Sequence, residues 1–134
     1  MAVLLVDVAN VVGSRPDGWW RDRAGATARL LARLAALAGR TLLGPDGAPV
    51  HCEAVVAVVE GRARDVPGVD PVRLVRAPGS GDDALAAEAA ALDAEGRAVL
   101  VVTADRGLRD RLPGAVEVVG PGWLLARLDE VAAG

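Results

Sequence analysis

Short apolar runs alternate with stretches of helical periodicity along the chain, and this alternation constrains the fold more than any other feature of the sequence. The apolar runs are 3–6, 54–59, 72–75, 98–102 and 116–119, and the helical stretches are 20–38, 84–95, 106–112 and 123–131. Continuous apolar runs are typical of parallel strands that are buried on both faces. Strands separated by helices need right-handed crossovers, so the pattern predicts a doubly wound, three-layer α/β domain with a parallel sheet.

Two of the helical stretches carry a clear apolar stripe. The first stripe consists of Leu30, Leu31, Leu34 and Leu37, and the second of Leu85, Ala89 and Leu92. Both have the spacing of one helix face and should point into the core. Gly39 and Gly96 follow the two stretches as plausible helix ends. The segment 44–49 (GPDGAP) has the composition of an exposed turn.

A chain of 134 residues without an internal repeat or a linker fits one domain, residues 1–134. Its apolar N-terminus, MAVLLVDVANVV, is interrupted by Asp7 and Asn10 and lacks a basic leader. It is therefore too short and too polar for a membrane span and a poor signal peptide. We expect a soluble cytoplasmic protein without a membrane partner, and a homo-oligomer is compatible with the sequence.

The residue types that are missing exclude several reaction classes. All 15 basic residues are Arg, so neither a Walker A loop nor Schiff-base chemistry is available. The single Cys52 and the single His51, to which we assign no role, leave no basis for a thiolate or histidine metal site. Any metal must be held mainly by oxygen, which favours Mg²⁺ or Mn²⁺.

Carboxylates follow the predicted strands. Asp7 ends the first run, Glu60 follows the second, Asp82 and Asp83 follow the third, and Asp105 follows the fourth. In a doubly wound sheet the ligand site lies beyond the carboxyl ends of the strands. Neighbouring strands lie roughly 4.8 Å apart, so these acids can converge on one divalent cation that relieves their repulsion. Such a cation polarises a phosphoryl oxygen and activates water, and phosphodiester hydrolysis is the natural use.

Several of these acids also have a structural interpretation. Ser80 and Asp83 match the spacing of a capping box, and Asp82 suits the first turn of a helix. Thr103 or Asp105 could cap the short helix that follows them. When each of these positions is considered by itself, the sequence slightly favours a structural role over a functional one.

Asp7 and Glu60 differ from these positions in how strongly the sequence favours a functional role. An acid at the end of a buried strand has little structural reason to be there, so Asp7 favours a functional role. Glu60 is followed by Gly61 and Arg62, and the alternative that it only ends its strand is about equally supported.

The segment 13–23 (GSRPDGWWRDR) follows the first strand and combines cations with indoles. It contains Arg15, Trp19, Trp20, Arg21 and Arg23. Arginines suit phosphates, and unpaired bases stack on indoles. One of the two neighbouring tryptophans should instead pack in the core, as should Trp123. Arg106 and Arg109 are further phosphate candidates, which an exposed helix surface explains equally well.

Three segments together resemble the NYN branch of the PIN-like nucleases. They are VLLVDVANVVGS, GSGDDALAAEAA and VLVVTADRGLRDRL, and the resemblance extends from Val3 to about Leu125. It implies a PIN-like sheet of strand order 3-2-1-4-5 and metal-dependent cleavage of RNA. Val8 stands where the family commonly has Gly, and Glu60 stands where many relatives have Asp.

The resemblance also implies the site residues. Asp7, Asp82, Asp83 and Asp105 would be the catalytic residues and the metal ligands. Substrate contacts are expected from Asn10, Ser14, Arg15, Trp19, Arg21, Arg23, Thr103 and Arg106.

The predicted function is a Mg²⁺- or Mn²⁺-dependent ribonuclease whose partner is single-stranded or structured RNA. The alternative is a catalytically inactive RNA-binding or protein-interaction module on the same fold. A phosphatase or receiver-like domain is a poor third, because the receiver needs a Lys and the phosphatase normally uses one.

Overall fold

The computed structural model describes residues 1–133, in which six strands and five helices alternate. The strands are β1 (Ala2–Asp7), β2 (Thr41–Leu43), β3 (Pro49–Val59), β4 (Arg73–Arg76), β5 (Val99–Val102) and β6 (Glu117–Val119). The helices are α1 (Val8–Gly13), α2 (Arg23–Leu34), α3 (Gly81–Ala94), α4 (Arg106–Arg109) and α5 (Pro121–Ala133). Two 3₁₀ turns, Trp19–Arg21 and Gly61–Ala63, precede α2 and follow β3.

The sheet is mostly parallel, with β1 at its centre. Its order is β2-β3-β1-β5-β6, and β4 also pairs with β3. β2 is antiparallel to the first residues of β3, and β4 is parallel to the last four. The order of the six strands differs from the predicted 3-2-1-4-5 by the strand β2, which was not predicted. The five predicted strands pair as expected, in the order β4-β3-β1-β5-β6. Only Leu42 of the three residues of β2 is buried, which is too little periodicity to identify a strand.

Helices cover both faces of the sheet, as the alternation predicted. Val3 and Leu5 of β1 pack on the side of α3 and α4, and Leu4 and Val6 pack on the side of α1, α2 and α5. Successive side chains of a strand point to opposite faces, which explains why β1 needs an uninterrupted apolar run. The two predicted stripes, on and just after α2 and on α3, are buried in these two cores.

The helix boundaries differ from the predicted ones at several ends. α2 begins at Arg23 rather than at Trp20, because Asp22 caps it by accepting a hydrogen bond of 2.9 Å from the Gly25 amide. α1 was not predicted, since its apolar residues look like a continuation of β1. α4 is shorter than expected and α5 is longer. Among the helices of residues 1–133, none has the length and apolar character required to cross a membrane.

Candidate active site

An acidic cleft lies at the carboxyl edge of the parallel strands. It has a volume of about 380 Å³ and is lined by Asp7, Ala9, Asn10, Glu60, Ser80, Asp82 and Asp105. Asp7 is the last residue of β1, and Asp105 follows β5, the parallel neighbour of β1. Because both strands run in the same direction, their following residues meet at one edge, together with Glu60 from the end of β3.

Asp7 is the most deeply placed carboxylate of the acidic cleft, with 8% of its surface exposed. One oxygen, Oδ1, accepts a hydrogen bond of 3.3 Å from the Asn10 amide at the start of α1. The other, Oδ2, accepts one of 2.9 Å from the hydroxyl of Thr103. The turn from β1 into α1 and the end of β5 therefore hold this carboxylate in one orientation.

Thr103 and Asn10 connect β1 to the segment after β5. The Thr103 hydroxyl, which donates to Asp7, accepts a hydrogen bond of 3.1 Å from the Asp105 amide. The side-chain oxygen of Asn10 accepts one of 2.8 Å from the Ala104 amide. These bonds set the position of Asp105 relative to Asp7.

Asp82 and Asp105 face each other from the first turns of two helices. Asp105 caps α4, because its Oδ1 accepts a hydrogen bond of 3.1 Å from the Leu108 amide. Burial raises the pKa of the Asp82 carboxyl, and the negative charge of Asp105, a side-chain hydrogen bond to Asp105 and the charge of Glu60 raise it further. Two carboxylates that face each other repel, so the pair favours the uptake of positive charge.

Burial is also the main cause of the raised pKa of Asp7. The hydrogen bonds from Thr103 and Asn10 oppose the shift, and the charges of Asp82 and Glu60 add to it. The ionised carboxylates of the acidic cleft therefore repel one another. A bound cation would lower the free energy of the ionised forms.

Glu60 belongs to the acidic cleft although it was left out of the expected site residues. Its carboxylate accepts a hydrogen bond from the Gly81 amide at the start of α3. A Cβ at position 81 would lie 2.6 Å from the Glu60 carboxylate, so glycine permits this approach. The signal was present in the sequence, because Glu60 directly follows a buried strand as Asp7 does.

The structure separates the acidic pair that the family motif groups together. Asp82 lines the acidic cleft, whereas Asp83 points elsewhere and forms an ion pair of 2.7 Å with Arg111. Adjacent residues of a helix do not share a face. Asp83 is thus not brought together with Asp7, Asp82 and Asp105.

Two of the expected substrate contacts occupy structural positions, and a third lies outside the acidic cleft. Thr103 is fully buried, so it positions Asp7 instead of touching a substrate. The Ser14 hydroxyl donates a hydrogen bond of 2.6 Å to the Val11 carbonyl at the end of α1. Arg106 is exposed at the start of α4 and does not line the acidic cleft.

Four of the five arginines and indoles of segment 13–23 form one cluster, in which the rings of Trp19 and Trp20 pack edge to face with their centroids 6.1 Å apart. The Arg23 guanidinium lies over the ring of Trp19, 5.1 Å from its centroid, and the Arg21 guanidinium lies 6.0 Å from that of Trp20. Trp19 is half-buried and Trp20 is 55% exposed. Arg15 instead lines a separate cavity on the far side of Val12. Only the Trp19–Arg23 pair adjoins the acidic cleft.

Trp123, which was expected in the core, is only partly buried. Its indole nitrogen donates a hydrogen bond of 3.1 Å to the Leu43 carbonyl at the end of β2. Its ring packs against the core from the side of α5.

The acidic cleft suits a hard divalent cation in the type of its donor atoms, which are all oxygens. Within residues 1–133, no three acidic, His or Cys side chains are already close enough together to share one ion. A cation such as Mg²⁺ would therefore be held by one or two carboxylates of the acidic cleft, with water completing its coordination shell. The mutual repulsion of Asp82 and Asp105, expressed in the raised pKa of Asp82, is what a cation would relieve.

Comparisons with known proteins identify the fold. No protein-family model matches the sequence, and no curated protein matches it either. Among solved structures, the chain is similar to a single-site variant of Rae1 (YacP) from Bacillus subtilis. The TM-score is 0.71 at 19% sequence identity, and the match covers 99% of this chain and 78% of the Rae1 chain. The chain therefore has the α/β fold of Rae1, with the acidic cleft at the carboxyl edge of its sheet.

Proposed function

We propose that this protein is a metal-dependent ribonuclease that hydrolyses RNA phosphodiester bonds in the acidic cleft. The observation that carries the proposal is that Asp7, Asp82 and Asp105, from three different elements, line one cavity. The raised pKa of both Asp7 and Asp82 adds to it, because perturbed carboxyl groups gathered in a cleft are typical of functional sites. The shared fold with Rae1 supports the α/β architecture that the resemblance of the three sequence motifs implies.

Asp7, Asp82 and Asp105 are the residues that would hold Mg²⁺ or Mn²⁺. When bound, such a cation supplies positive charge next to a phosphodiester and lowers the pKa of an attacking water. Asp83 is not included, because its ion pair with Arg111 directs it away from the acidic cleft.

The remaining polar groups of the acidic cleft have positioning roles in this proposal. The Thr103 hydroxyl and the Asn10 amide orient the two oxygens of Asp7, so that its carboxylate keeps one rotamer. The Asn10 side chain fixes the backbone before Asp105. Glu60 joins the end of β3 to the start of α3 and thereby places Asp82.

The direct test is incubation of the full chain with an end-labelled single-stranded RNA in Mg²⁺, in Mn²⁺ and in EDTA. Cleavage in either metal and none in EDTA is expected. The matched variants are Asp82→Asn, which should abolish cleavage, and Asp83→Asn, which should retain most of it. These neighbours on α3 have the same chemistry, and only the first lines the acidic cleft.

Two results would contradict the proposal. Equal loss of activity in Asp82→Asn and Asp83→Asn would show that the acidic cleft is not the reaction centre. RNA binding without cleavage in any divalent metal, and without a metal-dependent rise in melting temperature, would identify the catalytically inactive RNA-binding module instead.

A further inference from the structure

A second cavity, of about 280 Å³, lies beside the acidic cleft, where α1, α2 and the 61–63 turn meet. We call it the indole pocket, because Trp19 forms one of its walls. Ala9 and Glu60 line both the indole pocket and the acidic cleft, so the two cavities share a wall. An occupant of the indole pocket is therefore next to any group held by Asp7.

The lining of the indole pocket suits a flat aromatic ring. Val8, Val12 and Ala63 contribute apolar surface, and Trp19 presents an indole with the Arg23 guanidinium over its ring. Flat rings stack on indoles and on guanidinium planes alike. The volume of about 280 Å³ is just below the roughly 300–1,000 Å³ of pockets for drug-sized molecules, so it fits one small ring system.

We propose that the indole pocket binds one unpaired nucleobase of the RNA whose phosphate lies in the acidic cleft. The inference rests on the proposed function and makes it more specific, because it makes single-stranded RNA the substrate. A base in a duplex is stacked and paired, and it would have to leave the helix to enter a pocket of this kind. Stacking accepts every base, so the pocket selects for single strands and not for sequence.

Two variants test the pocket, one by removing a side chain from its wall and the other by adding one at its rim. Trp19→Ala removes the stacking wall. Gly79→Leu adds a side chain at the rim of the pocket without changing the indole or any charge. An added Cβ at Gly79 would meet no heavy atom of residues 1–133 within 4 Å, so the chain should tolerate this replacement. Trp123→Ala is the matched control, because the Trp123 indole bonds to the Leu43 carbonyl at the end of β2 and does not line the pocket, whereas Trp20 packs against Trp19.

Affinity is measured in EDTA, where no cleavage is expected, by fluorescence anisotropy of a short labelled single-stranded RNA. Trp19→Ala and Gly79→Leu should each weaken binding roughly 5- to 150-fold, the range that corresponds to one base–aromatic stack. Trp123→Ala should weaken it less than about threefold, and binding of a duplex of the same sequence should not respond to Trp19→Ala. Circular dichroism verifies that each variant is folded.

A second measurement locates the base. Single abasic sites are placed at each position of the RNA in turn. One position should weaken binding to the wild-type chain and have little effect in Trp19→Ala, since the stacking partner is then already gone. Equal effects of Trp19→Ala and Trp123→Ala, or abasic effects that persist unchanged in Trp19→Ala, would overturn the proposal.

The outcomes also separate this inference from the ribonuclease proposal. Metal-dependent cleavage without any coupling between Trp19 and an RNA position would overturn the pocket and leave the nuclease. Coupling without cleavage in any metal would support the pocket and overturn the nuclease.

Discussion

At the scale of the residue, Asp7 links the protonation of the acidic cleft to the stability of the protein. Its pKa in the folded chain is raised above the ordinary value of 3.8, mainly by burial. The folded state therefore keeps the proton to a higher pH than the unfolded state does. Stability contributed by this group is present below about 3.8 and is lost as the pH rises through the raised pKa.

The Asp7→Asn variant should accordingly be at least as stable as the wild-type chain in EDTA at pH 7. Its advantage should shrink as the pH falls through the raised pKa towards 3.8, because the wild-type carboxyl then becomes neutral as well. Thermal unfolding of both proteins across this pH range measures the difference.

A bound divalent metal should reverse the order of stability, so that the wild-type chain becomes more stable than Asp7→Asn. A divalent cation at 100 times its Kd stabilises a folded chain by about 2.7 kcal/mol, and Asp7→Asn should gain much less than the wild type. The variant should also have lost cleavage. If Asp7→Asn instead melts much earlier in EDTA and still cuts RNA, Asp7 has a structural role.

Thr103 gives a prediction about orientation. Thr103→Val removes the hydroxyl that donates to Asp7 and accepts from the Asp105 amide, whereas Thr103→Ser keeps it. Cleavage should fall about 10- to 100-fold in the valine variant, in the range found for partners that orient metal-binding residues, and serine should restore most of it. A valine variant with wild-type activity and an unchanged metal affinity would show that the hydroxyl is not needed.

Sequence patterns could locate the acids of the acidic cleft but not the direction of every side chain. The rule that parallel strands end at one edge was sufficient for Asp7, Asp105 and Glu60. The choice between Asp82 and Asp83 depends on the rotation of α3 about its axis, which packing decides. The burial of Thr103 likewise depends on the strands on both sides of it.

At the scale of the element, three helices begin at the acidic cleft. Asp7 accepts from the first turn of α1, Asp105 caps α4, and Glu60 accepts from the first amide of α3. A carboxylate that caps a helix can therefore also be a functional acid. One of its oxygens can accept the capping hydrogen bond while the other faces the acidic cleft, as in Asp105.

Asp105 allows the two roles to be separated. Asp105→Asn can still cap α4 but loses its charge, and Asp105→Ala loses both. Both variants should lose cleavage. In urea unfolding, alanine should cost about 1 kcal/mol more than asparagine, the usual contribution of a helix cap. Equal stability of the two variants would mean that the cap contributes nothing to this short helix.

Arg127 of α5 forms a hydrogen bond to the hairpin of β2 and β3. This buried side chain donates a hydrogen bond of 3.0 Å to the Leu43 carbonyl and pairs with Glu130 at 2.7 Å. A hydrogen bond from a charged group contributes about 1.5–3 kcal/mol, so Arg127→Ala should lower the free energy of unfolding by about that amount.

Arg33→Ala is the control for this prediction. Arg33 also reaches α5, through a 2.7 Å ion pair with Asp129, but its side chain is 33% exposed and that of Asp129 is 66% exposed. Its loss should cost less than about 1 kcal/mol. Similar costs for the two replacements, measured in urea, would contradict the proposed role of Arg127.

β2 and α1 were missed because their sequences lack periodicity of their own. β2 is recognisable only through its pairing with β3, and α1 only through the turn that Asp7 caps. Both elements are specified by tertiary contacts. The longer helices could be predicted because their buried stripes repeat over several turns.

At the scale of the whole molecule, a net charge of −3 means that any attraction for RNA must be local. Arg23 lines the indole pocket, which shares a wall with the acidic cleft. RNA affinity should fall as salt rises, with a slope of log K against log salt of about 0.7 per phosphate neutralised on a single strand. Arg23→Ala should reduce that slope by about 0.7, the contribution of one phosphate.

Arg40→Ala is the control for the salt measurement. Arg40 lies beside Cys52, which pairs with Ala2 at the amino end of β1, so it is at the opposite edge of the sheet. Its replacement should leave the slope unchanged. An unchanged slope in Arg23→Ala as well would direct attention to Arg106 and Arg109 as the phosphate contacts.

The bond between Thr103 and Asp7 joins residues 96 positions apart and has a consequence for the order in which the protein is synthesised. A growing chain that ends before β5 already contains Asp7, Glu60 and Asp82, but one side of β1 is still unpaired. Thr103 and Asp105 then do not yet exist, and nothing holds the second oxygen of Asp7. Since domains are made from the N-terminus onwards, the acids are translated well before they can act together. A growing chain therefore cannot form the complete acidic cleft until Thr103 and Asp105 have been added.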